Sequence, residues 1–187
     1  MKRADDVEGL TERLKAASTT EERNRLWEDL FPKLRTIARN RIHSAGKSGR
    51  ESPTELVHDV YPGLQRALNN SGKRFESRAH FLAYAAQAMR RHLAAQAKRI
   101  AADELLDEHF AVETASPALT IAMNEALDIL AKKFPRAVNA YQLREYGGYS
   151  YEEILDLMRA DYRTKALLAA DLTLVRKALV DLLRALD

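Results

Sequence analysis

The segment RAHFLAYAAQAMRRHLAAQAKR, residues 78–99, decides the fold class of this chain. It contains no Asp, Glu, Lys or Arg from Ala79 to Met89. At the helical period, one set of apolar side chains shares an arc about 100° wide. That set is Leu82, Ala85, Ala86, Met89, Leu93 and Ile100. The pattern predicts an amphipathic helix over about residues 78–102, with one buried face.

The opposite half of this helix carries charge of one sign. Its cations are Arg90, Arg91, Lys98 and Arg99, and no acid occurs from residue 79 to residue 102. Surface helices usually mix charge signs, and a solvated face remains the simpler interpretation. A row of cations close to Phe75, Phe81 and Tyr84 is also typical of a nucleic-acid surface, where cations contact phosphates and aromatic rings stack on exposed bases.

Composition extends the helical prediction to the whole chain. Only 7 of the 187 residues are Gly and 5 are Pro, while Ala, Leu, Arg and Glu, which favour helices, are frequent. No stretch alternates as a strand would. We therefore predict an all-α protein, with helices over about residues 7–17, 20–45, 53–69, 78–102, 117–132, 135–145, 151–158 and 162–186.

Capping signals mark several of the predicted helix starts. Residues 52–55 (SPTE) and 150–153 (SYEE) are capping boxes, and Ser116 precedes Pro117. Asp161 is the predicted cap of the last helix.

The charge changes sign along the chain. Residues 1–102 hold 20 Lys and Arg against 12 Asp and Glu, a net +8, whereas residues 103–187 hold 10 against 15, a net −5. We predict two small helical domains, residues 1–102 and 117–187, joined by an acidic linker over residues 103–116. The basic domain is the one expected to face a polyanion.

Several classes of function are not expected. The chain has no Cys, which excludes disulfides and thiolate chemistry, and it has no nucleotide-binding Gly loop, nucleophile elbow or zinc spacing. Glu55 and His58 have the Glu-x-x-His spacing of di-metal sites, but such sites need two copies of it. We expect no catalytic residue, metal or cofactor. Acids near the start argue against a signal peptide, and no uncharged run approaches a membrane span, so we expect a cytoplasmic protein.

Four segments in order resemble the extracytoplasmic-function (ECF) sigma factors, the small bacterial promoter-recognition subunits of RNA polymerase. Residues 78–99 resemble the main helix of the family's second conserved domain, and LWEDLFPKLRTIARNRI (26–42) resembles that domain's first helix. SPTELVHDVYPGLQRAL (52–68) resembles its polymerase-binding helix. FPRAVNAYQLREYGGYSYEEI (134–154) resembles the opening of the fourth domain's helix-turn-helix.

The resemblance implies a transcription initiation factor that binds core RNA polymerase and promoter DNA. The family's second domain opens the minus-ten DNA, and its fourth domain reads the minus-thirty-five duplex. The implied DNA-binding residues are Phe75, Arg78, His80, Phe81 and Tyr84 for single-stranded bases, and Arg90, Arg91, Lys98 and Arg99 for phosphates. The implied polymerase-binding residues are Thr54, Glu55, Leu56, Val57, Asp59 and Tyr61.

The polymerase-binding helix departs from the family pattern at its start. Family members usually have Asp-Ala-Glu-Asp where this chain has Ser-Pro-Thr-Glu, residues 52–55. A phosphate on Thr54 would restore negative charge in the first turn, so we predict control by a Ser/Thr kinase; the alternative is that Thr54 is a tolerated surface residue. Pro62-Gly63 in the middle of this helix predicts a kink.

The C-terminal segment departs further. It lacks the Gly expected at the helix-turn-helix turn, and acids are interspersed with its bases, which predicts a poor DNA surface. Its apolar residues recur at steps of four and three, a spacing typical of either a core face or a helix pair between two copies; they are Leu168, Leu172, Val175, Leu179, Leu182 and Leu186.

Two hypotheses about function therefore stay open. The chain is a sigma factor, controlled by a kinase or an anti-sigma partner, or it is a sigma-derived interaction protein that has lost promoter recognition.

Overall fold

The described part of the chain in the computed structural model comprises residues 20–45, 51–69, 75, 77–104 and 117–185. Within it, the chain is all-α, as predicted, with no strand. The helices are α1 (Thr20–Ser44), α2 (Pro53–Asn69), α3 (Arg78–Glu104), α4 (Pro117–Lys133), α5 (Pro135–Glu145), α6 (Tyr151–Leu157) and α7 (Lys165–Arg184). The predicted helix over residues 7–17 and most of the predicted linker lie outside the described residues.

Local hydrogen bonds set the helix starts that the sequence predicts. At α2, the Glu55 amide donates to Ser52 Oγ at 3.2 Å, and the Ser52 amide donates to Glu55 Oε2 at 2.6 Å. A second reciprocal pair, between Ser150 and Glu153, starts α6. The two predicted capping boxes, residues 52–55 and 150–153, are therefore confirmed.

The predicted start of the last helix is wrong. Its N-cap is Thr164, whose hydroxyl accepts from the Leu167 amide at 3.3 Å. Residues 158–161 instead form a turn. The Asp161 carboxylate lies 3.3 Å from His80 Nε2 on α3, so it serves a tertiary contact and not a cap.

Helix α3 lies at the centre of the molecule and packs against α1, α2, α4, α5 and α6. The predicted apolar arc is buried except for the half-buried Ile100. The prediction of a single buried face is nevertheless wrong, because the consecutive residues Phe81, Leu82 and Ala83 are all at most 1% exposed. Neighbouring helices cover α3 on more than one side, so much of it is core.

Buried residues from both halves of the sequence form one contiguous core. It extends from Leu30 and Leu34 of α1 to Val175 and Leu179 of α7. The predicted arrangement of two domains with separate cores is therefore not confirmed. In this conformation the two halves share a single hydrophobic interior, which brings α4 and α5 against α3.

Two glycines shape the turn between α5 and α6. A Cβ at Gly147 would lie 2.5 Å from the Leu143 carbonyl oxygen and 2.6 Å from the Tyr149 ring, so no larger residue fits. Gly148 has φ of +68°, in the left-handed region that favours glycine. The turn places Tyr149 in the core, at 5% exposure.

The regularly spaced apolar residues of α7 face the molecule's own core. Leu168, Leu172, Val175 and Leu179 are buried, and Leu182 is partly buried against the same core. Leu186 lies outside the described residues. The spacing was typical of either a core face or a helix pair between two copies, and the structure shows the core face. The buried side chains are therefore not available to pair with a second copy.

Helix α2 runs without interruption from Pro53 to Asn69 although it contains Pro62. Pro62 is exposed and its carbonyl oxygen accepts from Arg66 Nε at 3.3 Å. The helix is therefore not broken at the exposed proline, and the kink that the sequence predicts there stays a prediction.

No helix in the part of the chain that the structure describes is long and apolar enough to cross a membrane.

Candidate nucleic-acid interface

The first cation of the α3 row is not at the surface. Arg90 is 4% exposed, and its guanidinium is directed into the contact with α4. Nη1 donates to the backbone and side-chain oxygens of Asn124, the latter at 2.6 Å, and Nη2 donates to Asp128 Oδ1 at 2.6 Å. The prediction that Arg90 shares the exposed cationic face is therefore wrong for this conformation, because α4 covers that side of the helix.

The next cations of the row meet the same helix with decreasing burial. Arg91 donates to Asp128 at 3.2 Å. Lys98 pairs with Glu125 at 3.2 Å, where both side chains are more than half exposed. Arg99 is exposed. The acidic half of the sequence thus neutralises Arg90 and Arg91 at one end of the basic row, whereas Arg99 at the other end stays at the surface.

Electrostatics at the buried end reflect this pairing. Burial lowers the pKa of Arg90, while the hydrogen bond and charge of Asp128 act in the opposite direction. Burial would raise the pKa of Asp128, but hydrogen bonds and charges of Arg90 and Arg91 hold it below its ordinary value. Asp128 is thus ionised at neutral pH, and one carboxylate serves two arginines.

A second contact between the halves lies at the C-terminal end of α1. Arg41 is 4% exposed, donates to Gln142 Oε1 at 3.0 Å, and lies 3.1 Å from the centre of the Tyr146 ring. Asn40 Nδ2 donates to the Tyr146 carbonyl at 2.8 Å. Burial lowers the pKa of Arg41. The Nε atoms of Arg41 and Arg90 are both buried without a hydrogen-bond partner among the described residues. The interface between the halves therefore contains buried donors that make no hydrogen bond there.

The aromatic residues predicted to stack on bases are brought together, but mostly inside the protein. Phe81 is fully buried and Phe75 is 7% exposed, with their ring centres 5.5 Å apart. Tyr84 is half-buried, 5.3 Å from Phe75, and Trp27 lies 6.0 Å from Phe81. In this conformation Tyr84 and Trp27 are the half-buried rings of the cluster, and the role of the predicted rings in base stacking stays a prediction.

The two remaining predicted DNA-binding residues lie at the start of α3. Arg78 Nη2 lies 3.5 Å from the Asp29 carbonyl of α1, and His80 faces Asp161. Both side chains are half-buried. His80 thus joins α3 to the turn before α7, a third contact between the halves.

The predicted polymerase-binding residues divide into two groups. Leu56 and Val57 are in the core, at 0% and 1% exposure. The other four reach the surface in part or in full: Thr54 and Tyr61 are half-buried, and Glu55 and Asp59 are exposed. Tyr61 packs edge-on against Trp27 with ring centres 4.5 Å apart.

Two of the four basic residues of α7 are matched by acids. Lys165 pairs with Glu152 at 2.8 Å, and Arg176 pairs with Glu145. Asp171 of the same helix accepts from Arg136. Lys177 and Arg184 of the same helix are exposed, so the surface has mixed charge, and its weak affinity for DNA stays a prediction.

One group of potential metal ligands occurs among the described residues, and it consists of Glu51, Asp59 and His92. This group does not include Glu55 or His58, the Glu-x-x-His pair of the sequence analysis. Its members come from different segments of the chain. Burial, together with the neighbouring Asp59 carboxylate, raises the pKa of Glu51 to about 7.

Sequence reasoning missed the residues that cover the cationic row. Asn124 and Asp128 are four apart on α4, which places them on one face, but nothing in their local sequence indicates that α3 lies opposite. The only available signal was the opposite net charge of the two halves. Gln142 and Tyr146, which hold Arg41, gave no signal at all.

The geometry is that of an all-helical protein whose central helix, α3, carries a row of cations partly covered by α4. Comparison with known families is more specific: the model of the family described as ECF sigma factor matches residues 8–185. The chain belongs to the ECF sigma factor family. This membership supports a role in transcription initiation, with core RNA polymerase and promoter DNA as partners. No curated protein and no solved structure matches the chain.

Proposed function

We propose that the protein is a sigma factor that directs core RNA polymerase to promoters, and that the described conformation is its closed state. One observation supports the closed state above all others: Arg90, the first of the cations expected on phosphates, is hydrogen-bonded to Asn124 and Asp128 of the C-terminal half. A guanidinium buried in this way cannot contact DNA until α4 moves away.

The closed state is suited to opening. Two arginines are buried at the interface between the halves, each with an unpaired Nε, and a single carboxylate, Asp128, faces Arg90 and Arg91. Buried polar groups without partners cost about 1–3 kcal/mol each. DNA phosphates would offer the arginines full hydrogen bonding, so a polyanion shifts the equilibrium toward separated halves.

The test uses in vitro transcription with core polymerase, on a promoter taken from DNA that the protein enriches in cells. Wild type is compared with Asp128→Ala, which weakens the closed state, and with Asp156→Ala. Asp156 is an exposed acid that pairs only locally with Arg159, so both variants change the net charge equally. We expect more transcripts from Asp128→Ala than from the other two proteins.

DNA affinity measured against salt concentration gives an independent readout. A phosphate-binding surface loses affinity steeply as salt rises. Arg99 is exposed in the closed state, so Arg99→Ala should weaken binding and reduce the salt slope by about 1. A slope that is unchanged in Arg99→Ala would argue against this helix as the DNA surface.

Phosphorylation of Thr54 is a separate proposal about control. Thr54 is the second residue of α2, at the end where free amides stabilise an anion. The hydrogen bond from the Ser52 amide already lowers the pKa of Glu55 in the same turn. A phosphate on Thr54 would supply the charge that family members carry in acidic residues, and a basic clamp surface would bind it more tightly.

Binding to core polymerase tests the phosphate switch. Thr54→Glu should bind at least several-fold more tightly than Thr54→Ala. Thr173→Glu, an acid introduced at an exposed threonine of α7, controls for added charge. Equal affinity of the two Thr54 variants would eliminate the switch and leave the sigma-factor assignment intact.

The second candidate function is a sigma-derived interaction protein. It is favoured by the ion pairs that occupy Lys165 and Arg176, which withdraw two of the four bases of the last helix from a DNA groove. If wild type and Asp128→Ala both bind core polymerase yet neither initiates transcription, this second function replaces the first.

A further inference from the structure

Three side chains from separate segments converge beside the N-terminal end of α2. Glu51 precedes that helix, Asp59 lies two turns into it, and His92 projects from α3. His92 Nε2 lies 3.6 Å from Glu51 Oε1 and 3.5 Å from Asp59 Oδ2. One ligand atom from each of the three lies within 4.8 Å of the other two.

The two separations from His92 suit a shared metal ion better than they suit hydrogen bonds. A charge-assisted hydrogen bond between nitrogen and a carboxylate oxygen measures about 2.7–2.9 Å. Two ligand atoms that each lie about 2.1 Å from a tetrahedral zinc ion are about 3.4 Å apart. The distances of 3.5 and 3.6 Å are close to that spacing.

The surroundings hold Glu51 in position. The Glu51 side chain is only 10% exposed. Gln96, one turn along α3 from His92, donates to Glu51 Oε2 at 3.2 Å, and its amide nitrogen lies 3.2 Å from His92 Nε2. The Glu51 contact is of the kind by which outer polar partners orient metal ligands, whereas the Gln96 contact with His92 Nε2 would give way to the ion.

Charge and access also favour a cation. Two carboxylates face one imidazole, and among the described residues neither carboxylate pairs with Lys or Arg. The Asp59 side chain is 54% exposed, which leaves a path from solvent. One imidazole with two carboxylates favours a first-row transition metal over Ca²⁺ or Mg²⁺, which take oxygen ligands.

We propose that Glu51, Asp59 and His92 form a binding site for a divalent transition-metal ion, Zn²⁺ by the number and kind of its ligands. The ion would join the segment before α2, α2 itself and α3, with a fourth position open to water. The site is separate from the contact between the halves, and it stands whether or not the chain initiates transcription.

The test titrates the metal-free full-length chain with Co²⁺, whose visible absorption reports tetrahedral coordination, and with Zn²⁺ in competition. Four variants accompany the wild type. His92→Gln and Asp59→Asn each remove a proposed ligand with little change of shape. His43→Gln and Asp156→Asn remove the same groups from exposed positions elsewhere. Thermal unfolding of every metal-free variant checks that it folds.

We expect one ion per wild-type chain and an affinity at least about tenfold lower in the two ligand variants. The two control variants should match the wild type. Zn²⁺ should raise the thermal midpoint of the wild type and not that of His92→Gln. Absence of saturable binding, or binding that His92→Gln and Asp59→Asn retain in full, would overturn the site.

Discussion

The contact between Arg90 and Asp128 predicts an asymmetric response to mutation. Removal of the acid in Asp128→Ala leaves the Arg90 guanidinium, whose side chain is 5% exposed, with only the neutral oxygens of Asn124. Breaking a buried ion pair from one side costs about 3–5 kcal/mol. Because the Asp128 side chain is 28% exposed, water partly replaces it, and we expect a loss of about 2–3 kcal/mol in the free energy of unfolding.

Removal of the base should cost less. In Arg90→Met, the apolar chain of Met fills the volume of the arginine stem, and Asp128 keeps its 3.2 Å contact with Arg91. No charge is then stranded, so we expect a loss of about 1 kcal/mol or less. The double variant should be more stable than Asp128→Ala alone, because it no longer contains the stranded guanidinium.

Urea unfolding followed by circular dichroism measures both values. Stability should also depend on pH. Because the folded pKa of Asp128 lies below its ordinary value, its contribution to the free energy of unfolding is present above about pH 4 and is lost as the pH falls through the folded pKa. The difference between wild type and Asp128→Ala should therefore shrink in acid. If Arg90→Met costs as much as Asp128→Ala, or if the double variant is the least stable, the stranded-charge reasoning is refuted.

Three further predictions concern the turns and caps. Gly147→Ala should lose about 2 kcal/mol or more, because its Cβ would meet the Leu143 carbonyl at 2.5 Å. Its control, Gly63→Ala, places a Cβ in open space within α2 and should gain about 0.5–1 kcal/mol; thermal unfolding distinguishes the two, and similar midpoints would contradict both. Ser150→Ala removes the capping box of α6 and should cost about 1 kcal/mol by urea unfolding, whereas an unchanged midpoint would mean that tertiary packing alone holds this helix.

Several features of the fold follow from the sequence alone, because they depend on residues a few positions apart. The capping boxes at residues 52–55 and 150–153 form bonds between residues three apart, so they predict helix starts that the structure confirms. The apolar arc of α3 depends on helical periodicity and is buried as expected. The predicted start of α7 is wrong because Asp161 and Thr164 are both good caps, and the local sequence does not show that Asp161 contacts His80 of α3 while Thr164 caps the helix.

The sequence by itself determined an all-helical chain, the basic and acidic halves, and the family to which the chain belongs. Only the tertiary structure decided that the two halves share one core, that Arg90 is buried against Asp128, and that Glu51, Asp59 and His92 converge. The reason is physical: periodicity reports which side chains share a helix face, but not which helix lies opposite. Residues 38 positions apart, such as Arg90 and Asp128, meet only when packing of the whole core brings α3 and α4 together.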